Sequence, residues 1–311
     1  MSDNYDLAVI GAGVAGLSAA LFGARLGMRT VLIDRMGLGG ELINSGVIDS
    51  YPGLPDSISG ATMVGRLADQ VLALDVEPEL SAVTRLEAAS GSFAVHSASR
   101  AFSAGAVVVA TGGSARKLGV PGEEALSGRG VSHCAVCDGA FFKDQDAVVV
   151  GGGDAAFYSA LHLADLCRSV LVVHRRERLR AAALLQAQAG AKQNLKLATN
   201  ATVAALRGND AVEGILLREW NSGRETEHPA AAVFVCVGLV PESGLLRGVA
   251  ELDAQERAIV DVRMATSQPG LFAAGAVRAG SADQIITAAA DGATAAYAAF
   301  DYLDFKERGQ S

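Results

Sequence analysis

The sequence predicts an α/β fold built from two Rossmann-like domains, the first interrupted by the second. Three observations carry that reading. Near the start, "YDLAVIGAGVAGLSAALFGARLGMRTVLID" runs as strand, glycine turn, helix and strand. In the middle, "DAVVVGGGDAAFYSALHLADLCRSVLVVHRR" repeats the same order. Finally, 311 residues are too many for one small core, since domains usually hold roughly 100 to 200.

Taken in order, Leu7 to Ile10 is an apolar run of strand length, and the alanine-rich stretch after the glycines has the composition of a buried helix. Thr30 to Ile33 is the second strand, ending at Asp34. "GSFAVHS" alternates and "AFSAGAVVVATGG" runs on unbroken, so both predict further strands on the first sheet. Gly112 to Gly122, with "GG" and "VPG", reads as a linker. The second unit then runs through strand Ala147 to Val150, glycine turn, helix and strand Val170 to Val173, and "AAVFVCVGLVPESG" adds a strand closed by a Gly and Pro turn. "GLFAAGAVRAGSADQIITAAADGATAAYAAF" returns to a short strand, a loop and a long helix, which makes the first domain discontinuous. The expected boundaries are residues 1–115 and 244–311 for that domain and 116–243 for the insert.

Composition narrows the function. With 26 Lys and Arg against 34 Asp and Glu, a net charge of −8 argues against nucleic acid or an anionic membrane as partner. Half the residues are hydrophobic, yet no apolar run approaches the roughly 18 to 20 that a bilayer crossing needs. "MSDNYDLAVIGAG" carries acids where a signal peptide carries basic residues, and a cytoplasmic location is expected.

The glycine turns carry the first chemistry. Gly11, Gly13 and Gly16 satisfy G-x-G-x-x-G between strand and helix, and Asp34 follows at the distance of a ribose-binding acid. Small residues are required there because a pyrophosphate must approach backbone N–H groups at the helix N-terminus. The second turn reads Gly151, Gly152, Gly153, Asp154, Ala155, Ala156, with Ala as an allowed third residue. Its second strand leads not to an acid but to His174, Arg175, Arg176, Arg178 and Arg180. Guanidinium groups suit a 2′-phosphate, so this unit is expected to prefer NADPH to NADH.

In "HCAVCDGAFF", Cys134 and Cys137 form a Cys-x-x-Cys pair followed by Asp138. A zinc site would need a second pair of ligands, and neither Cys167, Cys236 nor the histidines at 96, 133, 162, 174 and 228 supply one at ligand spacing, so no metal is expected. A staple closing so short a loop removes little unfolded-state entropy. A redox role fits best: the pair can cycle between dithiol and disulfide, with Asp138 exchanging a proton, though the same Asp before Gly139 also suits a plain turn. Cys167 and Cys236 read as buried small hydrophobes in a helix and a strand.

Together, "GAGVAG", "CAVCDG", "VVVGGGDAA", "VHRRERLR" and "GLFAAGAV" resemble the low-molecular-weight thioredoxin reductases of the pyridine nucleotide-disulfide oxidoreductase class, over nearly the whole chain. The resemblance implies FAD in the discontinuous domain, on Gly11, Gly13, Ala15, Gly16, Asp34, Arg35, Gly40, Glu41, Asn44, Val83, Ala110, Thr111, Gly112, Gly275, Ala276, Gln284 and Ile285. It implies NADPH on Gly151, Gly153, Asp154, Ala155, Ala156, His174, Arg175, Arg176 and Arg180. It further implies that Cys137 faces the flavin, that Cys134 exchanges with thioredoxin or a thioredoxin-like protein, that Asp138 is the acid-base, that the domains rotate about Gly112 to Gly122 and Val240 to Gly244, and that the protein is a homodimer. Four positions depart from the family pattern: Ala276 for a usual Asp, Glu41 for Gln, Tyr158 for Glu, and Asp283 where a basic residue is common. The competing functions are an FAD dithiol oxidase acting on a small molecule and a non-catalytic nucleotide-binding flavoprotein.

Overall fold

The computed structural model describes residues 4–54, 56–89 and 91–309. The chain forms two compact units, Met1–Ser114 with Pro241–Ser311, and Ala115–Val240. The first begins with β1 (Asn4–Ile10), α1 (Val14–Arg25) and β2 (Thr30–Asp34). It continues through α2 (Gly60–Leu72), β3 (Val76–Leu80), β4 (Val83–Ala89), β5 (Ser92–Ser97) and β6 (Ala101–Val109). A strand β7 (Gly113–Ala115) leads into the second unit.

That unit holds β8 (Val131–Ser132), α3 (Ala135–Asp138), β9 (Asp146–Val150), α4 (Asp154–Ala164), β10 (Ser169–Val173), α5 (Ala183–Ala191) and β11 (Leu195–Ala198). Three antiparallel strands follow, β12 (Ala201–Arg207), β13 (Gly214–Glu219) and β14 (Glu225–Pro229), then β15 (Ala232–Val235). The chain returns to the first unit through β16 (Leu239–Pro241), which pairs with β7, and ends with β17 (Leu271–Ala273) and α6 (Ile285–Gly309).

In the first unit the sheet order is β3-β2-β1-β6-β5-β4, with β17 also on β6. The length of β6 allows this double duty: Ala101–Ala104 pair antiparallel with β5, while Val107–Val109 pair parallel with β17. Val107, Val108 and Val109 are fully buried, which is why this strand reads as a continuous apolar run instead of alternating. On one face Leu7, Val9 and Val108 pack with α1 and α6; on the other Ala8, Ile10 and Val109 pack with Phe93, Leu246 and Leu271. Helix α1 is buried between sheet and α6, so its apolar residues surround it. The two helices touch backbone to backbone: a methyl at Gly292 would lie 2.0 Å from the Ala15 carbonyl oxygen.

The second unit is a parallel sheet in the order β11-β10-β9-β15-β8. Alternate residues of β9 face opposite layers. Ala147 and Val149 pack with Phe157, Ala160 and Leu163 of α4, while Val148 and Val150 pack with Val203 and Ile215 of the antiparallel sheet. Two placements differ from the sequence reading. Cys167 is buried in the turn after α4, and Cys236 follows the end of β15, partly buried. Among the described residues no helix is long and apolar enough to cross a membrane.

Candidate functional site

The first glycine loop is fixed by backbone contacts that leave no room for side chains. A methyl at Gly11 would lie 2.4 Å from the Ala110 oxygen, and one at Gly16 only 1.7 Å from the Gly11 oxygen. Gly13 is different: it is the N-cap of α1, makes no side-chain cap, and a methyl there would meet nothing within 4 Å. The N-terminus of this twelve-residue helix thus has no side-chain cap and is open where a Gly13 side chain would stand, which suits a pyrophosphate. Asp34 holds the loop from the end of β2. Its Oδ2 accepts from Ala12 N–H (2.8 Å), and its Oδ1 accepts from Met36 N–H (2.7 Å) and Gly37 N–H (3.1 Å). A carboxylate offers about four acceptor sites, so among the described residues one is left over, a place that suits a hydroxyl donor.

Gly40, Ala110, Thr111 and Gly275 stand against this loop and the start of α1. Gly40, at φ 55°, starts a short 3₁₀ turn (Gly40–Asn44) against Gly13, and the turn carries the exposed Glu41 and Asn44. Ala110 N–H donates to Ile10 O, and Thr111 Oγ1 donates to Glu242 O (2.7 Å), while Gly112 O accepts from Glu242 N–H. Gly275 and the partly buried Ala276 lie in a 3₁₀ turn, and Gly275 approaches Ala15 closely enough that a methyl on it would sit 3.0 Å from the Ala15 Cβ. Gln284 and Ile285 stand at the start of α6, Val83 opens β4, and Arg35 is exposed after β2.

The second loop repeats the design. A methyl at Gly151 would lie 2.3 Å from the Cys236 oxygen, whereas Gly153, the uncapped N-cap of α4, faces open space. Ala156 is fully buried beneath it, and Ala155 is exposed. The arginine-rich turn is tied to this loop by three hydrogen bonds. Arg180 and Ala181 N–H both donate to Gly152 O (2.8 and 3.0 Å), and Ala182 N–H donates to Asp154 Oδ1 (2.8 Å). Arg175, Arg176, Arg178 and Arg180 are exposed along that turn, which borders a cavity of about 880 Å³. His174 behaves otherwise. Its ring is buried against Gly152, where a methyl would meet Nδ1 at 2.3 Å, and its Nε2 has no hydrogen-bond partner among the described residues. It supports the loop from below.

Burial pushes the His174 pKa below its ordinary value, the neighbouring Arg180, Arg176 and Arg175 push the same way, and a backbone contact with Arg178 opposes them. The folded protein therefore binds this proton less readily than the unfolded chain. Stability is expected to fall as pH drops below about 6.5, until the folded-state pKa is passed. Urea melts of the wild type and His174→Gln at pH 8 and pH 5 check this: the variant should lose part of the pH dependence.

In the cysteine segment, Cys134 and Cys137 form a disulfide with Cα atoms 5.4 Å apart. Cys134 caps α3, and its Sγ accepts from Cys137 N–H (3.1 Å). Asp138 ends the helical turn, where its Oδ2 accepts from Ser132 Oγ (2.6 Å), and the same hydroxyl accepts from Cys134 N–H (3.0 Å). Ser132 thus joins the acid to the cysteine. No motif announces it, because its position comes from β8. His133 Nδ1 lies 3.2 Å from Val235 O.

Two further residues escape a motif search. Glu123 is buried and accepts from Leu118 N–H (2.8 Å) and Gly119 N–H (2.7 Å), holding the turn after β7. Asp291 of α6 is buried, pairs with Arg278 at 2.7 and 2.9 Å, and accepts from Gly275 N–H (3.1 Å), so the carboxylate that bonds the Ala276 turn comes from the helix. Asp283 pairs with Arg257 at 3.3 Å, and Tyr158 packs against the α4 core. Among the described residues no three His, Cys, Asp or Glu side chains come together as a metal group.

Known proteins are similar to this chain over nearly its whole length. Residues 5–292 match the model of the pyridine nucleotide-disulphide oxidoreductase family. The thioredoxin reductase of Treponema pallidum is 39% identical over 304 residues, covering 98% of this chain and 99% of that protein. That of Peptoclostridium litorale is 37% identical over 310 residues, covering 98% of each. The crystal structure of Lactococcus lactis thioredoxin reductase in its FR conformation is similar with a TM-score of 0.94 at 35% identity, over 96% of this chain and 98% of that one.

Proposed function

The chain belongs to the pyridine nucleotide-disulphide oxidoreductase family, and from that premise we propose that it is an NADPH-dependent FAD disulfide reductase whose substrate is thioredoxin or a thioredoxin-like protein. The observation that supports this most directly is the Cys134–Cys137 disulfide, in one unit with a glycine loop tied to an arginine-rich turn.

Both loops fit their cofactors, since each ends in an uncapped glycine facing open space. In this reading FAD is held by the Gly11–Gly16 loop, Asp34, Gly40 and the Gly275–Ala276 turn. NADPH is held by Gly153, Ala155 and Ala156, with Arg175, Arg176 and Arg180 for its 2′-phosphate. When bound, FAD supplies the two-electron link between a nicotinamide and a disulfide.

The chain's own residues perform the exchange. The Cys134 thiolate attacks one sulfur of the substrate disulfide, forming a mixed disulfide while the other substrate sulfur leaves and takes a proton. Asp138, hydrogen-bonded through Ser132, is the proton donor in this reading. The Cys137 thiolate then attacks Cys134 Sγ, which releases the second substrate thiol and restores the Cys134–Cys137 disulfide. Two electrons pass from the pair to the substrate.

The same reading makes the protein a cytoplasmic homodimer with no nucleic acid or membrane partner. The net charge of −8 supports the last part, and the family resemblance supports the dimer. Mass analysis of the cofactor released from the purified protein should find FAD and no FMN, because a full βαβ loop with Asp34 offers a site for the adenylate half. Anaerobic addition of NADPH should bleach the flavin, and oxidised thioredoxin should restore its colour. An absent flavin after reconstitution, or no bleaching by NADPH, contradicts the proposal.

A further inference from the structure

We propose that Trp220 is the platform on which the adenine ring of NADPH stacks, an inference that rests on the NADPH assignment above. Ligands of an open parallel sheet bind beyond the carboxyl ends of its strands. Here those ends belong to β9, β10 and β11, and the arginines follow β10 directly. The turn after β11 lies beside them. His174 N–H donates to Ala198 O, Ala201 N–H donates to His174 O, and Asn200 N–H donates to Arg176 O at 3.4 Å.

Asn200 itself has φ 51°, and this bend turns its carbonyl to a second partner, the Trp220 N–H at 2.7 Å. Two hydrogen-bonded steps therefore separate the Trp220 backbone from that of Arg176. At roughly 4.8 Å per step, that is on the order of 10 Å. In an adenosine 2′-phosphate the phosphate and the base sit on adjacent ribose carbons, so a base whose phosphate is held by the arginines lies within a nucleoside's reach of this tryptophan.

The ring is free to receive it. Trp220 is 68% exposed, immediately after β13, although a large aromatic surface in water is costly. Its base is nevertheless fixed: the hairpin tip is closed by Gly223 N–H donating to Glu219 O (2.9 Å), and by Ser222 Oγ and Arg224 Nε donating to the Glu219 carboxylate (2.7 and 3.1 Å). An exposed indole on an ordered hairpin, two backbone hydrogen bonds from Arg176, provides an apolar face for the base within a nucleoside's length of charges for its phosphate.

The chain contains one tryptophan, so its fluorescence reports this position alone. Titration of the FAD-loaded enzyme with 2′,5′-ADP should change that emission, saturating at the dissociation constant found from competition with NADPH. Trp220→Ala should raise the KM for NADPH and the inhibition constant of 2′,5′-ADP about tenfold, with kcat unchanged, and Trp220→Phe should recover most of the loss; tenfold corresponds to about 1.4 kcal/mol. Competition by 2′,5′-ADP with no change in emission and an unaltered KM in Trp220→Ala would overturn the platform and leave the NADPH assignment standing. A rise in KM for the protein disulfide alone would overturn it too, placing Trp220 at a partner surface. Failure of 2′,5′-ADP to compete, with no flavin reduction by NADPH, would remove the NADPH assignment and the platform with it.

Discussion

Replacing either Cys134 or Cys137 by serine is expected to reduce NADPH-driven reduction of protein disulfides to the background rate, because two electrons need two sulfurs. Bleaching of the flavin by NADPH should survive in both variants, which separates a broken relay from a misfolded protein. The two substitutions should then diverge. Cys134 Sγ accepts the Cys137 N–H, so Cys137→Ser retains a hydrogen-bonded sulfur at position 134. That variant should trap a stable mixed disulfide with a thioredoxin lacking its resolving cysteine, visible by non-reducing gel and mass spectrometry. Cys134→Ser should trap little. Normal turnover in either variant would refute the relay, and trapping by Cys134→Ser alone would reverse the two roles.

The second large effect concerns the nucleotide. Changing Arg175 and Arg176 together to Ala should raise the KM for NADPH far more than that for NADH. A hydrogen bond to a charged group contributes about 1.5 to 3 kcal/mol, or at least tenfold in affinity. Both side chains are exposed, which places the effect near the lower end of that range for each. The glycine loop should stay intact, since it is tied to the turn through the backbone N–H groups of Arg180 and Ala181 and through Asp154, not through these side chains. Steady-state kinetics with both nucleotides tests this, and equal losses would count against a 2′-phosphate site.

What the sequence makes legible follows from how local each signal is. The strand, glycine turn and helix of each βαβ unit lie within about thirty residues, and parallel strands buried on both faces announce themselves as unbroken apolar runs. The arginines after β10 and the Cys-x-x-Cys pair are likewise contiguous. Edge strands are less visible: β3 is "VEPEL", with two acids and a proline, and only Val76 is buried. The antiparallel sheet was not legible either, since β14 reads "ETEHP" and is largely exposed. Among site residues, Ser132 gains its role from the geometry of a two-residue strand, and Asp291 meets Gly275 only because α6 packs back along α1. Asp34 is legible as the acid that ends β2. Its bond to the Ala12 N–H, which ties β2 to the glycine loop across twenty-two residues, is not.

The double duty of β6 bears on how the protein is made. Its second half needs β17, and α1 needs α6 with Gly292 against Ala15, yet both partners come from the last part of the chain. On a ribosome adding roughly 5 to 20 residues per second, the N-terminal sheet waits tens of seconds with an unfilled edge and an uncovered helix. The inserted unit is one continuous stretch, Ala115–Val240, and has all its strands long before synthesis ends. The expected order of folding in the cell therefore departs from the order of translation: the middle of the polypeptide matures first, and the discontinuous unit is completed only when its C-terminal part arrives.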